Sequence, residues 1–168
     1  MTKNVWQGVD LDALEYNSEN EKVAYDQNGN KIYYENSEGH WEKWIYDKSG
    51  NEVYFEYLNS ESYWAKNEYD IRGNKIYHED SRGYWEKHDY DSSNNLVYYE
   101  DSNGYWETRT FENNNNTTYK DSDGYWSNSK YDQKNNLIYY EDSKGIKEEY
   151  QYDEDSLLIN TINLNKTY

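Results

Sequence analysis

The chain has 168 residues, among them 23 Tyr and 7 Trp, with no Pro, no Cys and a net charge of −17. Hydrophobic residues make up 34% and most of these are aromatic, which excludes a thick aliphatic core. Low hydrophobicity with high charge points towards disorder, but Tyr and Trp favour strands and bury large areas, and they turn the reading to an ordered β protein.

The first segment, residues 1–24, reads as a degenerate N-terminal capping half-repeat. Its stretch 14–26, LEYNSENEKVAYD, echoes the later FEYLNSESYWAKNEYD but lacks the repeat glycine and tryptophan. Terminal repeats are often atypical because they cap a stack. The opening MTKNVWQGVD has no basic region followed by an apolar stretch, and no apolar run approaches spanning length. The expectation is a soluble, cytoplasmic protein without a membrane partner, needing no oxidising compartment.

Residues 25–153 read as six tandem repeats. A Tyr-Asp pair stands at Tyr25-Asp26, Tyr46-Asp47, Tyr69-Asp70, Tyr90-Asp91, Tyr131-Asp132 and Tyr152-Asp153, with Phe111-Glu112 in the series, at spacings of 21, 23, 21, 21, 20 and 21. Self-similarity at this period marks a repeat architecture. Within the first repeat the order is a turn (26–30, DQNGN), a short strand (31–35, KIYYE), a second turn (36–39, NSEG) and a longer strand (40–46, HWEKWIY). Asp, Asn or Ser at the first position and Gly at the fourth suit a type I turn. Where Gly is lost, Asn94 and Asn135 stand in, which reports a left-handed backbone. Helical periodicity is missing and turn signals arrive about every ten residues.

The fold expected is all-β: tandem hairpin repeats of about 21 residues forming one long, twisted antiparallel meander, roughly 60 Å across its strands. Facing residues in a hairpin share an index sum. A 21-residue repeat keeps side chains on their faces only if successive sums alternate between odd and even, which predicts an even loop at one turn and an odd loop at the other. The 23-residue repeat, with its extra residues in 57–62, keeps that parity. The 20-residue spacing breaks it, so a different turn or a register change is expected at Asn113–Asn116. Residues 154–168 read as a C-terminal aliphatic capping strand around 157–162, LLINTI, packed on the sheet's own end or on a second subunit.

The repeat G-x4-Y-x-YD-x-x-GN-L, written here as Gly83-YWEK-His88-Asp89-Tyr90-Asp91-Ser92-Ser93-Asn94-Asn95-Leu96, resembles the YD-repeat (RHS-repeat) family over about residues 25–153. The resemblance implies β-hairpins that spiral into sheets or, in long toxins, closed shells. Six repeats are too few for a shell, and neither a following toxin domain nor a core cleavage segment is recognised. The YYE-DS-x-G-YW core has a weaker likeness to choline-binding aromatic hairpins, with different Trp spacing.

Candidate binding residues fall into rows. Position five of the short strand reads Glu35, Glu56, Glu79, Glu100, Lys120 and Glu141. The plain reading is a solvated face partly neutralised by Lys43, Lys66 and Lys87. The functional reading is a surface that imitates nucleic-acid phosphates, at about half the linear charge density of duplex DNA. The aromatic rows, Trp41, Trp64, Trp85, Trp106 and Trp126 with Tyr33, Tyr54, Tyr77, Tyr98 and Tyr139, read as a cross-strand ladder forming the core, or as a platform for sugars or a partner protein.

Catalysis is not expected. The acids recur in every repeat, mostly as turn caps. Ser residues have no nucleophile elbow. No cofactor or metal is expected: His40, His78 and His88 lack ligand spacing, and the Asp-Asn turns lack an EF-hand series. The expected role is non-enzymatic binding of a basic, nucleic-acid-binding protein. A host defence nuclease would be such a partner, with this chain an inhibitor of anti-CRISPR or anti-restriction type suited to a phage. Acidity disfavours nucleic acid itself as a ligand. The alternatives are a carbohydrate or cell-wall module using the Trp and Tyr rows, and an antitoxin-like partner of a toxin. A homodimer through an aromatic face or the C-terminal strand is a further expectation.

Overall fold

Each repeat is built on two nearly identical turns. In the first, the Asp26 N–H donates to the Asn30 carbonyl (2.9 Å) and the Gly29 N–H donates back to the Asp26 carbonyl (3.1 Å). Asp26 Oδ1 accepts the N–H groups of Asn28 (2.8 Å) and Asn30 (2.9 Å), and Oδ2 accepts the Asn30 side-chain amide (2.9 Å). In the second, Asn36 repeats the scheme with Gly39 and His40, its Oδ1 capping the N–H groups of Glu38 and His40, both at 3.0 Å. This is a type I turn followed by a left-handed residue in a G1 bulge, and Gly29 (φ +85°) and Asn94 (φ +67°) fill that left-handed position alike.

The computed structural model describes residues 4–165. A short hairpin, β1 (Val5–Trp6) and β2 (Val9–Asp10), leads into a 3₁₀ turn at Leu11–Ala13. The meander follows with β3 (Glu21–Tyr25), β4 (Lys31–Asn36), β5 (Trp41–Tyr46), β6 (Glu52–Leu58), β7 (Ser62–Tyr69) and β8 (Lys75–Asp80). It continues with β9 (Trp85–Tyr90), β10 (Leu96–Asp101), β11 (Trp106–Glu112), β12 (Asn115–Asp121), β13 (Trp126–Tyr131), β14 (Leu137–Asp142), β15 (Lys147–Tyr152) and β16 (Leu158–Asn163). Strand order is chain order from β3 to β16. The all-β antiparallel meander expected from the repeat is the fold. The chain divides into two compact units, Met1–Trp85 and Glu86–Tyr168.

The index sums alternate as the period requires, but not through loop length. Hairpins closed by the second turn have even sums, as in Tyr98↔Thr108 and Glu100↔Trp106. Hairpins closed by the Tyr-Asp turn have odd sums, as in Tyr98↔Asp89. Both turns nevertheless enclose three residues. The odd sum comes from a bulge two residues beyond the Tyr-Asp turn: Tyr25 pairs with Lys31 and Ala24 with Tyr33, leaving Ile32 extra. The expectation of one even and one odd loop is therefore corrected. The extra residue is β-branched in every such hairpin: Ile32, Val53, Ile76, Val97, Thr117, Ile138 and Ile159.

The 23-residue repeat lengthens β6 and β7 symmetrically around Asn59–Glu61, with Leu58 paired to Ser62. The 20-residue repeat replaces the three-residue loop by Asn113-Asn114 between Glu112 and Asn115, both at positive φ (49° and 63°), as a type I′ turn demands. Its hairpin sum becomes even (Thr108↔Lys120), the register change expected there.

In the first unit the N-terminal segment lies over one face of the sheet. Leu11, Ala24, Ile32 and Tyr33 form its buried cluster, with Trp6, Val9, Leu14, Trp41 and Tyr46 against it. Asn17 caps a turn like those of the repeats, Asn20 (φ 61°) taking the glycine place. No short strand precedes that turn: residues 14–16 run outside the sheet, and the Tyr16 hydroxyl reaches Glu35 Oε1 (3.0 Å).

Candidate functional site: two chemically distinct faces

Paired residues in a strand ladder share a face, so the registers sort the candidate residues. In the first unit Glu35, Glu56, Glu79, Trp41, Trp64, Tyr33, Tyr54 and Tyr77 lie on one face. In the second unit Glu100, Glu141, Trp106, Trp126, Tyr98 and Tyr139 share one face as well. Trp85 opens β9. Acid row and aromatic rows are thus one surface within each unit, here called the tryptophan face.

The glutamates of this face are not bare. Glu35, Glu56 and Glu100 each sit between a lysine of the preceding strand and a tryptophan of the following one, as in Lys43–Glu56–Trp64 and Lys87–Glu100–Trp106, whereas Glu141 sits between Asn128 and Lys147. Lys22 stands 3.6 Å from Glu35, Lys66 3.1 Å from Glu79 and Lys147 3.8 Å from Glu141. The tyrosine two residues before each glutamate donates to it: Tyr33 to Glu35 (2.5 Å), Tyr77 to Glu79 (3.2 Å) and Tyr98 to Glu100 (3.1 Å). At Glu35 burial opposes ionisation, but hydrogen bonds from Tyr33, Tyr16 and Lys22 outweigh it and hold the carboxyl below its ordinary range. The lysines also cover the indoles, Lys43 over Trp41 (4.4 Å), Lys66 over Trp64 (4.9 Å) and Lys120 over Trp106 (5.7 Å). In the second unit Asp89, Glu100, Glu112, Glu141 and Glu149 on this face meet Lys87, Lys120, Lys130 and Lys147, so its charge is nearly balanced.

The opposite face of the second unit is different, and sequence reasoning missed it. It presents Tyr99, Tyr119 and Tyr140 with Asp101, Glu107, Asp121, Asp142 and Glu148. Tyr105 and Tyr119 hydroxyls lie 2.9 Å apart and share Glu107 Oε2, at 3.1 and 2.9 Å. Tyr140 donates to Asp142 Oδ2 (3.2 Å) and lies 2.7 Å from the Tyr125 hydroxyl, which therefore donates to it. Tyr150 donates to Glu148 (2.9 Å); burial first and then that carboxylate push its phenol up to about 12. Burial and hydrogen bonds with Tyr105 and Glu107 raise Tyr119 further still. Arg109 is clamped to Glu107 and lies over the Tyr119 ring, and Lys144 of a turn lies over Tyr125. The sequence did carry a signal: Tyr precedes Trp at Tyr105-Trp106 and Tyr125-Trp126, and neighbours in a strand face opposite ways.

In the first unit the corresponding face stacks Trp44 on Phe55 (5.5 Å), Phe55 on Tyr57 (5.7 Å) and Tyr57 on Tyr63 (5.4 Å). Asn67 is buried there, donating to the Glu52 carbonyl and bonded to His78 Nδ1 (2.8 Å). Among the described residues no group of three or more His, Cys, Asp or Glu is placed to hold a metal. No helix among them is long and apolar enough to cross a membrane.

No protein-family model and no curated protein matches the chain. Solved structures do. The chain is similar to the crystal structure of TcdB2-TccC3-Cdc42 (TM-score 0.56, 12% identity), covering 86% of this chain and 9% of that one. Similarity to the crystal structure of TcdB2-TccC3 has the same score and identity over 89% of this chain and 9% of that one. The Photorhabdus luminescens Tc holotoxin pore matches at TM-score 0.53 and 12% identity, over 85% and 9%. The chain spans about a tenth of the length of these structures, and the likeness is one of β-repeat fold.

Proposed function

We propose that this chain is a short, non-enzymatic relative of the YD-repeat proteins that captures a basic protein partner through the tyrosine–carboxylate face of its second unit. The periodic Tyr-Asp turns support the family reading, and the β-repeat likeness is consistent with it. One observation carries the functional reading: four lysines nearly balance the five carboxylates on the tryptophan face of the second unit, whereas Asp101, Glu107, Asp121, Asp142 and Glu148 oppose Arg109 and Lys144 on the other. Carboxylates in excess on one face attract Lys and Arg by charge. The partner class is a protein whose basic site ordinarily takes nucleic acid, such as a defence nuclease, with this chain as its decoy. A carbohydrate module is less well supported, because lysines occupy the indole faces of Trp41, Trp64 and Trp106 on which a sugar would stack.

The test is capture from lysate at about 50 mM and then about 500 mM salt, a range that spans strong and weak screening. Paired variants locate the surface: Glu107→Gln with Glu148→Gln, against Glu56→Gln with Glu100→Gln. Capture of a nucleic-acid-binding protein, displaced by DNA or RNA and weakened more by the first pair, supports the proposal. Greater loss from the second pair returns the site to the tryptophan face. Salt-resistant capture refutes charge as the driving term.

A further inference from the structure

We propose that β16 is a self-association edge that pairs antiparallel with β16 of a second copy of this chain. On one side β16 is bonded to β15, from Glu148↔Asn163 to Tyr152↔Leu158. Among the described residues it stands last in the strand order, and its other side offers them a row of backbone donors and acceptors. Such edges are ordinarily guarded by charged residues. The opposite end strand, β3, carries Glu21 and Lys22. Residues 156–165, SLLINTINLN, carry no ionisable group, and no other run in the chain is as long without Asp, Glu, Lys, Arg or His.

Packing adds a second observation. Ile159 holds the bulge position, which is 36% exposed at Ile138 of the flanked strand β14 but 65% exposed here. Leu158 beside it is 55% exposed. An additional strand beyond β16 would reduce the exposure of both.

Electrostatics selects the occupant. A basic partner is drawn to carboxylates, and this strand has none. Two chains of charge −17 repel except where their charge is absent, and this edge is the longest such place. A two-fold axis through Thr161 matches the strand to itself: Thr161 faces Thr161 of the second copy, Asn160 faces Ile162 and Ile159 faces Asn163. No like charges meet directly. The nearest acid-bearing strands, the two copies of β15, would stand about 14 Å apart, three strand spacings. That exceeds the roughly 8 Å screening length at physiological ionic strength. Residual repulsion therefore falls with salt, and dimerisation strengthens as salt rises. The contact is isologous, so assembly stops at two copies.

Sedimentation velocity on the full chain over a concentration series tests this, at about 50 and about 500 mM salt as before. The expected species are the 20.5 kDa chain and its dimer, with more dimer at the higher salt. Thr161→Glu places two carboxylates beside the axis and should weaken dimerisation about tenfold or more, while Thr161→Gln should not. Hydrogen exchange on the unmodified protein gives an independent readout: amides in Leu158–Asn163 should gain protection as concentration rises. A monomer under all conditions, a ladder of larger species, a dimer indifferent to Thr161→Glu in a folded variant, or β16 amides indifferent to concentration would each overturn the proposal.

Discussion

Ser122 closes a two-way bond with Trp106, the first residue of the strand before its own: its N–H donates to the Trp106 carbonyl at 2.9 Å, and its Oγ accepts the Trp106 N–H at 3.3 Å. Ser81 with Trp64 and Ser143 with Trp126 repeat the pair. The Asp-Ser dipeptide of the second turn thus has two tasks. Asp caps its own turn, and Ser ties that turn to the preceding hairpin. Ser122→Ala leaves the Trp106 N–H without its partner and should cost about 1 kcal/mol, the net worth of one hydrogen bond. Ser49, which offers only its backbone N–H to Asp47 (2.8 Å), should tolerate Ala. Thermal unfolding of the two variants checks the contrast.

The bulge position should be the most sensitive aliphatic site. Ile32 is buried against Leu11, Ala24 and Tyr33, so Ile32→Ala removes apolar burial and leaves a cavity at a cost of about 2–4 kcal/mol. Ile159→Ala, at an exposed copy of the same position, should cost much less in the monomer. Denaturant midpoints at low protein concentration compare them.

These two positions show what the sequence could and could not say. Tyr-Asp spacing and turn glycines marked strand order and hairpin register to within a residue, because both turns are written in local chemistry, but the twelve or thirteen strands they suggest fall short of the fourteen in the sheet. The bulge was legible only as an unexplained Ile or Val at the second place of every short strand but β12, where it is Thr117: 21 is odd, so one residue per repeat must go unpaired, but nothing local says whether a loop or a strand absorbs it. The acid row was real as an alignment and incomplete as electrostatics. Its lysine partners lie on the neighbouring strand, 13 residues before their glutamates at Lys66–Glu79 and Lys87–Glu100, and they count only once registers place them side by side.

Acid should destabilise the fold through the Tyr-Asp turns. The Asn74 side chain, then the Asn74 and Arg72 amides, hold the Asp70 carboxyl down from 3.8 to about 2. Asp26, Asp47 and Asp132 are lowered by the same Asn contact. A depressed carboxyl contributes stability that is complete above its unfolded value and is lost as pH falls through the folded one. Melting temperature should therefore drop between about pH 4 and pH 2, and Asn74→Ala should flatten that drop by removing the largest cause of the shift. A pH series of melts on both proteins, in which the variant fell as steeply as the parent, would sink the assignment.

Alkali should act through the tyrosines with the opposite sign. Burial, then the Glu148 carboxylate, raises Tyr150 from 10.0 to about 12, and Tyr33, Tyr119 and Tyr140 are raised as well. A raised phenol contributes stability that is complete below about pH 10 and is lost as pH climbs through the folded values. Phenolate absorbance should therefore appear in two stages, exposed tyrosines first and the ladder only with loss of β structure by circular dichroism.

The two-residue turn at Asn113-Asn114 offers a gain of stability. Both residues hold positive φ, where Asn is tolerated and Gly is unstrained, and Asn-Gly is the preferred pair for this turn. Nothing in the described structure requires the Asn114 side chain beyond one contact, 3.3 Å from the Asn95 amide. Asn114→Gly removes the Cβ strain of a left-handed residue, worth about 1 kcal/mol, against the greater backbone freedom of Gly when unfolded, about 0.5–1 kcal/mol. Asn114→Ala keeps the strain and loses the local bonding that lets Asn adopt it. The expected order of melting temperatures is Gly equal to or above Asn, with Ala clearly lowest. If Ala matched Asn, φ at residue 114 would not be the constraint, and the register change between Thr110 and Phe111 would have to be set by the β12 side chains instead.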